Sequence, residues 1–462
     1  MSLNEKIDSL KEELIEATRE VLQIKSTEEA AVEGGPFGAG PKKALEKALE
    51  ISSKLGFKTV NLDGYVGYAE YGEGEDYVAV LGHLDVVPEG DGWMYPPYGA
   101  EIHDGKIYAR GSLDDKGPVM AALFGLKAIK DLNLPVSKRV RVIFGLNEET
   151  GDADIEHYNK KEKPPVAGFT PDAEYPIIFA EKGIIHTYLK KQLKAAEGDL
   201  LVKAIKGGVR PNMVPDYCEA VIEAKDQEKL LAHAKSFSEN NSFDISAEVK
   251  DNLVILKSIG VSAHGSMPHM GKNAVMQMFK FLGELSIAQK DLAEYVAFVN
   301  EAIGFETDGT SIGVGFRDEA SGKLSLNAGV MAMDENSISL SIDIRYPVTL
   351  EGSKIIHILN SKAAENNIEV ATADLVNPLY YPPDHPVIQK LQKVYEEQTG
   401  EEPKLLAIGG GTYAKAMPNI VAFGPIFPGK PDLDHQANEY IEVEDLLLNC
   451  KIYANAIYEL AK

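Results

Sequence analysis

Cysteine is nearly missing: the 462 residues include only Cys218 and Cys450, far apart and without a CxxC partner. That excludes a disulfide framework and a thiolate metal site, and both thiols read as small buried apolar residues. Positive charge is scarce, with 47 Lys plus Arg against 71 Asp plus Glu and a formal net charge of -24. Such a surface repels phosphate backbones, which excludes nucleic acid as a partner. No run of about eighteen apolar residues occurs, and the opening MSLNEKIDSLKEELIEATREVL is charged and amphipathic rather than a basic segment followed by an apolar one. The expectation is a soluble, unexported, cytoplasmic protein with no membrane partner. Solenoid repeats and low-complexity tracts are missing as well. What is present is ordinary globular material, 44% apolar and 26% charged. At about 150 residues per domain the length suggests roughly three domain equivalents, or two compact bodies of unequal size.

Hydrophobic periodicity divides the chain. Leu10, Leu14, Ala17 and Val21 recur at helical spacing, and a second helix follows from Pro41 to Leu55. TVNLDGYVGYAEYG and EDYVAVLGHLDVVP then read as strands, the AVLGHLDVV stretch apolar enough for burial on both faces. A helix from Lys116 to Leu132, the strand RVRVIFGLN and a helix near Ile155 to Lys160 continue the alternation, which predicts an α/β layer architecture. The middle is patterned as α+β: VIEAKDQEKLLAHAKSF as strand then helix, SAEVKDNLVILKSIGVSAHG as a ribbon, two helices, and two strands between Ser325 and Pro347 joined by a turn at Asp334 to Asn336. After Leu379 come a Pro-marked boundary, a helix, the short strand KLLAIG and a closing helix from Val443 to Leu460. The last segment is placed to complete the first sheet. The predicted organisation is an α/β domain built from residues 1–182 and 381–462 and interrupted by an inserted α+β domain over 183–380.

Most of the ten histidines, among them His157, His233 and His357, lie in helical stretches and need no chemical role. His83 differs, because it ends an apolar strand, where open α/β sheets place their ligand crevices. Two residues on, Asp85 points to the same face and is placed to hold one imidazole nitrogen, leaving the other for a metal. ARGSLDDKGP then offers Asp114 and Asp115 at a helix start, GLNEET offers Glu148 and Glu149 at a strand end, FTPDAEYP offers Asp172 and Glu174 in a loop, and PDLDHQANEY offers His435. Each is compatible with a solvated loop or a helix cap. Taken together, two histidines and three acids are the donors of a binuclear metal site with one bridging carboxylate. Three negative charges and a bridging hydroxide balance two divalent cations. Oxygen and nitrogen donors without thiolate suit Zn2+, with Mn2+ or Co2+ as alternatives.

In this order and spacing GHLDVVP, ARGSLDDKGP, NEET, TPDAEYP, SAHGSMP and DHQANEY resemble the PepV-like dipeptidases. These belong to the metallopeptidase family that includes carnosinase, aminoacylase, glutamate carboxypeptidases and succinyl-diaminopimelate desuccinylase. The resemblance spans nearly the whole chain and implies that residues 1–182 and 381–462 form a catalytic α/β domain, a mixed sheet flanked by helices, interrupted by an α+β lid domain over 183–380. It assigns His83, Asp114 and Asp172 to one zinc and Asp114, Glu149 and His435 to the other, with Asp114 bridging and the Asp114–Asp115 peptide cis. Glu148 is implied as general base and His264 as a lid residue at the developing oxyanion. Asn212 and Arg345 are implied toward the substrate's C-terminal carboxylate or carbonyl, and Gly411 and Thr412 as a further carboxylate-binding segment. Lys415 departs from the Arg that related sequences often carry, and an ammonium is a poorer bidentate clamp.

The implied activity is hydrolysis of the peptide bond of dipeptides with a free N-terminus through a metal-bridging hydroxide, by a monomer whose long lid supplies its own His264. An N-acyl amino acid deacylase or desuccinylase of the same family is the alternative, and a catalytically inactive binding protein the alternative of another class.

Overall fold

A computed structural model describes residues 1–462. The chain divides into two compact units, one made of Met1–Phe179, Tyr381–Leu406 and Gly411–Lys462, the other of Ala180–Tyr380 with Ala407–Gly410. Those last four residues return to the second unit late in the chain, which periodicity gave no reason to expect.

The first unit is a mixed sheet with helices against it. Across the sheet run Lys58–Leu62, Val66–Tyr71, Arg139–Gly145, Tyr77–His83, Ala167–Thr170 and Ile420–Ala422. The first two are antiparallel to their neighbours, whereas Arg139–Gly145, Tyr77–His83, Ala167–Thr170 and Ile420–Ala422 are parallel. Tyr77–His83 is buried at every residue, so its sequence is continuously apolar rather than alternating. The C-terminal segment completes the sheet through Ile420–Ala422, as its position in the sequence suggested. Helices Lys116–Asp131 and Val443–Ala461 pack on one another and on the central strand. The parallel strands end on one side, and the loops leaving His83, Gly145 and Thr170 carry Asp85, Glu148, Glu149 and Asp172, while Asp114 and Asp115 directly precede the helix Lys116–Asp131. A small sheet of Glu101–His103, Lys106–Tyr108 and Tyr440–Glu442 was not anticipated, because three-residue strands are too short to show a period. The opening helical stretch is two helices, Leu3–Ser9 and Lys11–Leu22, parted at Leu10.

The second unit holds an eight-stranded sheet. One half comprises Asp244–Lys250, Leu253–Ile259, Tyr217–Ala224 and Leu200–Gly207, and the other Ser325–Met333, Ser337–Tyr346, Gly183–Gln192 and Glu369–Val376. They meet where Ile205, Lys206 and Gly207 pair with Met333, Ala332 and Met331. Helices Gln227–Asn241, Ala274–Leu282, Lys290–Ala302 and Gly352–Ala364 close an apolar core around Phe279, Tyr295, Leu340 and Ile355. Cys218 and Cys450 are buried free thiols, and no helix is long and apolar enough to cross a membrane.

Candidate active site

His83 ends the central strand, and its side chain is fully buried. Nδ1 lies 3.1 Å from the main-chain oxygen of Asp85 and 3.4 Å from its carboxylate. With the Nδ1 proton directed to that carbonyl, the lone pair resides on Nε2. Nε2 sits 2.9 Å from Asp114 Oδ1 and 3.9 Å from Asp172 Oδ1, yet it is a buried polar atom without a hydrogen-bond partner. On the other side of Asp114, Oδ2 faces His435 Nε2 at 3.2 Å, and the same nitrogen lies 3.0 Å from Glu149 Oε2. Donor atoms of His83, Asp114 and Asp172 all fall within 4.8 Å of one another, as do those of Asp114, Glu149 and His435. Asp114 belongs to both groups, and the peptide it forms with Asp115 is cis. Nitrogen and carboxylate donors at this spacing, buried at His83 and Asp114 and open at His435, with an orphaned imidazole nitrogen aimed at two carboxylates, fit a pair of divalent cations.

The electrostatics agree with that fit. Burial, with Asp172, Asp114 and Glu149 nearby, pushes the Glu148 carboxyl well above its ordinary value, and burial also raises Glu149. Asp114 is buried too, but the two imidazoles overrule burial and hold it below the carboxylate range. Asp114 and Glu149 push His435 up to about 11. The acids raise both imidazoles, the same stabilisation of positive charge that divalent cations would draw on.

Asp85 faces His83 Nδ1, as its position in the strand suggested, and has a second job besides. Its carboxylate oxygens accept the main-chain N–H groups of Glu148 at 3.4 Å and Glu149 at 3.1 Å, so it pins the turn bearing both glutamates, while its carbonyl oxygen orients His83. Gly82 allows another close approach, because a Cβ there would lie 2.5 Å from Asp115 Oδ2, the oxygen that accepts the His83 N–H at 3.2 Å.

In the second unit Asn212, His264 and Arg345 are brought together. The Asn212 carbonyl accepts the Gly265 N–H at 2.7 Å, and a Cβ on Gly265 would lie 2.6 Å from Asp343 Oδ2. His264 is exposed, and Ser266 N donates to its Nδ1 at 3.2 Å. That contact leaves the proton on Nε2, and burial with Arg345 nearby lowers its pKa and favours the neutral ring. Arg345 is buried and engaged: Nε and one Nη donate to Asp343 at 2.9 and 3.0 Å, and the other Nη donates to the Gly409 carbonyl at 3.2 Å. Gly411 and Thr412 lie in the first unit, where Thr412 Oγ1 caps the short helix Tyr413–Ala416 by accepting from Ala414 N at 3.2 Å.

Several residues around the site carried no assigned role in the sequence. Glu439 is fully buried and accepts from Arg110 at 2.7 Å and from the backbone of Gly111, Leu113 and Asp114 at 3.1, 2.8 and 3.2 Å. Asp343, Asp154 and Tyr413 are likewise buried partners of site segments. Their signal was adjacency to the motifs, in HQANEY, DIRYP, GDADI and GTYAK.

A parallel sheet whose strand ends gather histidine and carboxylate donors for divalent cations defines a metallohydrolase. The chain belongs to peptidase family M20/M25/M40, whose model matches residues 79–459. A Bacillus subtilis (strain 168) protein called "Putative dipeptidase YtjP" is 45% identical over 459 residues, 98% of each chain. A Staphylococcus aureus (strain bovine RF122 / ET3-1) protein called "Putative dipeptidase SAB1611c" is 36% identical over 464 residues, covering 99% of this chain and 98% of the other. Among solved structures, human carnosine dipeptidase 1 matches with a TM-score of 0.57 at 17% identity over 99% of each chain. Aminoacylhistidine dipeptidase from Vibrio alginolyticus matches at 0.61 and 12% identity over 97% of this chain and 96% of the other. At such identities these two matches establish the shared fold.

Proposed function

We propose that this metallopeptidase is a dipeptidase that hydrolyses the peptide bond of dipeptides with a free N-terminus. The observation that carries this reading is the pair of donor groups sharing Asp114, with Glu148 on a turn pinned beside them by Asp85. The two relatives named as dipeptidases support the substrate class. His83, Asp114 and Asp172 would hold one divalent cation and Asp114, Glu149 and His435 the other, zinc first, with manganese or cobalt as alternatives. When bound, such ions polarise the scissile carbonyl and acidify water.

The chain's own groups do the rest. Glu148 takes the proton of the attacking water on a carboxylate oxygen and hands it to the leaving amine, from a turn held in place by Asp85. His264, neutral and carrying its proton on Nε2, donates to the oxyanion. Asn212, Arg345, Gly411 and Thr412 bind the substrate's carboxylate end, with Arg345 aimed by its fork to Asp343.

The protein acts as a monomer, a reading supported by the two sheet halves that one chain contributes to its second unit, and it resides in the cytoplasm, which suits two free buried thiols. The test is a side-by-side assay of free-amine dipeptides and N-acyl amino acids, using chelated protein restored with Zn2+, Mn2+ or Co2+. Faster turnover of the dipeptides supports the reading. Preference for N-acyl substrates would make the protein a deacylase, and metal binding without turnover would make it an inactive binding protein.

A further inference from the structure

Tyr413 is almost fully buried, and its hydroxyl donates at 2.5 Å to Oδ2 of the buried Asp154. The same oxygen accepts Leu146 N at 2.6 Å and Asn147 N at 3.0 Å, and Oδ1 accepts Ile155 N at 2.7 Å. Asp154 thus anchors the start of the turn that carries Glu148 and Glu149, while Tyr413 is joined directly to Thr412 and one residue beyond to Gly411. The contact is built in. A Cβ on Gly145, where the strand ends, would lie 2.1 Å from the Tyr413 hydroxyl, so only glycine leaves room for it. The ring also stands edge-on to His83, centroids 6.0 Å apart. One hydroxyl therefore ties the Gly411–Thr412 segment to the turn bearing the base.

We propose that Tyr413 is a positioning residue that sets substrate length: through Asp154 it fixes the spacing between the Gly411–Thr412 segment and the Glu148 turn, and that spacing accepts a dipeptide and rejects a tripeptide. This rests on the dipeptidase reading above and on the carboxylate end of the substrate meeting Gly411 and Thr412. Tyr413→Phe removes the hydroxyl and keeps the ring. Asp154 retains three main-chain donors, so the Glu148 turn stays in place while the Gly411–Thr412 segment loosens.

The expected result is a KM for alanyl-alanine raised about tenfold with kcat changed less than about threefold. Trialanine, which the fixed spacing rejects, should hold or gain kcat/KM once the segment loosens, so the preference for two residues over three narrows by about tenfold or more. Metal content measured alongside should match wild type, while the thermal midpoint should fall modestly with the loss of the buried bond to Asp154. A loss confined to kcat, or an unchanged ratio between the two peptides, overturns the proposal. Binding separates the two levels of inference. Calorimetry of alanyl-alanine on Glu148→Gln, with and without Tyr413→Phe, should show about tenfold weaker binding in the double variant. Equal binding overturns the role of Tyr413 alone, whereas no binding to either overturns the dipeptidase reading and the proposal with it.

Discussion

Glu439→Gln offers the sharpest test of how the loop bearing Asp114 is held. The carboxylate is fully buried and satisfies Arg110 together with the N–H groups of Gly111, Leu113 and Asp114, and Arg110 is itself only 2% exposed. Glutamine keeps the volume and one acceptor oxygen, but its amide presents a donor where Arg110 or Gly111 also donates. The substitution removes a charge-assisted bond and leaves a buried guanidinium without its anion. Losing such a bond costs about 1.5–3 kcal/mol, and stripping one partner from a buried pair about 3–5 kcal/mol. We expect about 2–3 kcal/mol for Glu439→Gln and about 3–5 kcal/mol for Glu439→Ala, which also orphans three N–H groups. Arg110→Met combined with Glu439→Gln should cost clearly less than the two single changes added together, because no unpaired charge remains.

The measurement is urea unfolding in chelator at pH 8, above the value of about 7 to which burial pushes the Glu439 carboxyl. Two units make a single transition an unsafe assumption. The protein's one tryptophan supplies a local probe: Trp93 lies under the Arg110 guanidinium at 5.3 Å and donates to the Glu89 carbonyl at 2.7 Å, within the first unit. A fall in midpoint at constant m, read by Trp93 fluorescence, gives the difference. A Glu439→Gln effect under about 1 kcal/mol would refute the argument that this ion pair and its three N–H bonds hold the loop.

Glu148→Gln should keep metal near wild type and lower turnover by about a hundredfold to ten-thousandfold, whereas Glu149→Gln should weaken metal binding; metal analysis giving the opposite pattern would mean their roles are exchanged. His264→Ala should lower kcat by about a hundredfold with metal retained, and activity regained on mixing it with Glu148→Gln would refute the monomer. Asp152, at φ 61°, is pushed up to about 6 by burial with Asp154 and Asp85 nearby. Since the folded state holds its proton more tightly, the stability this group contributes is present below about pH 4 and lost as pH rises through about 6. Asp152→Asn should therefore add about 1 kcal/mol near neutral pH, a shift of about two units discounted for partial exposure; urea midpoints showing an equal gain at pH 4 and pH 7.5 would sink this reading.

Local pattern carried much of the fold, because strands such as Tyr77–His83 and helices such as Lys116–Asp131 announce themselves by period. Gly183–Gln192 escaped notice although its burial alternates residue by residue, since two of its inward positions are Thr187 and Lys191. Lys191 is tolerated there by Glu294 at 3.0 Å and the Asn366 carbonyl at 2.9 Å, partners far along the chain. Arg110 with Glu439 and Asp154 with Tyr413 are likewise separated by hundreds of residues. Periodicity within a window holds no information about such pairs.

The ambiguity at the site had a physical origin. Acids occur there in doublets, Asp114 with Asp115 and Glu148 with Glu149, and Asp85 follows closely on His83, so the sequence offers more donors than two metals can use. The structure separates them by what each carboxylate accepts. Asp115 takes the His83 N–H, Asp85 takes those of Glu148 and Glu149, Glu439 takes that of Asp114, and Asp154 takes those of Leu146 and Asn147. A carboxylate that accepts main-chain N–H bonds holds its neighbour still, while Asp114, Glu149 and Asp172 keep oxygens within reach of the imidazoles. Packing this many anions into one pocket is unfavourable unless the segments bearing them are held from behind, since mutual repulsion would otherwise spread the loops before a cation arrived. The excess of acids near the motifs is therefore structural: for the segments that present His83, Asp114, Glu148 and Glu149, a second carboxylate anchors the backbone that presents them.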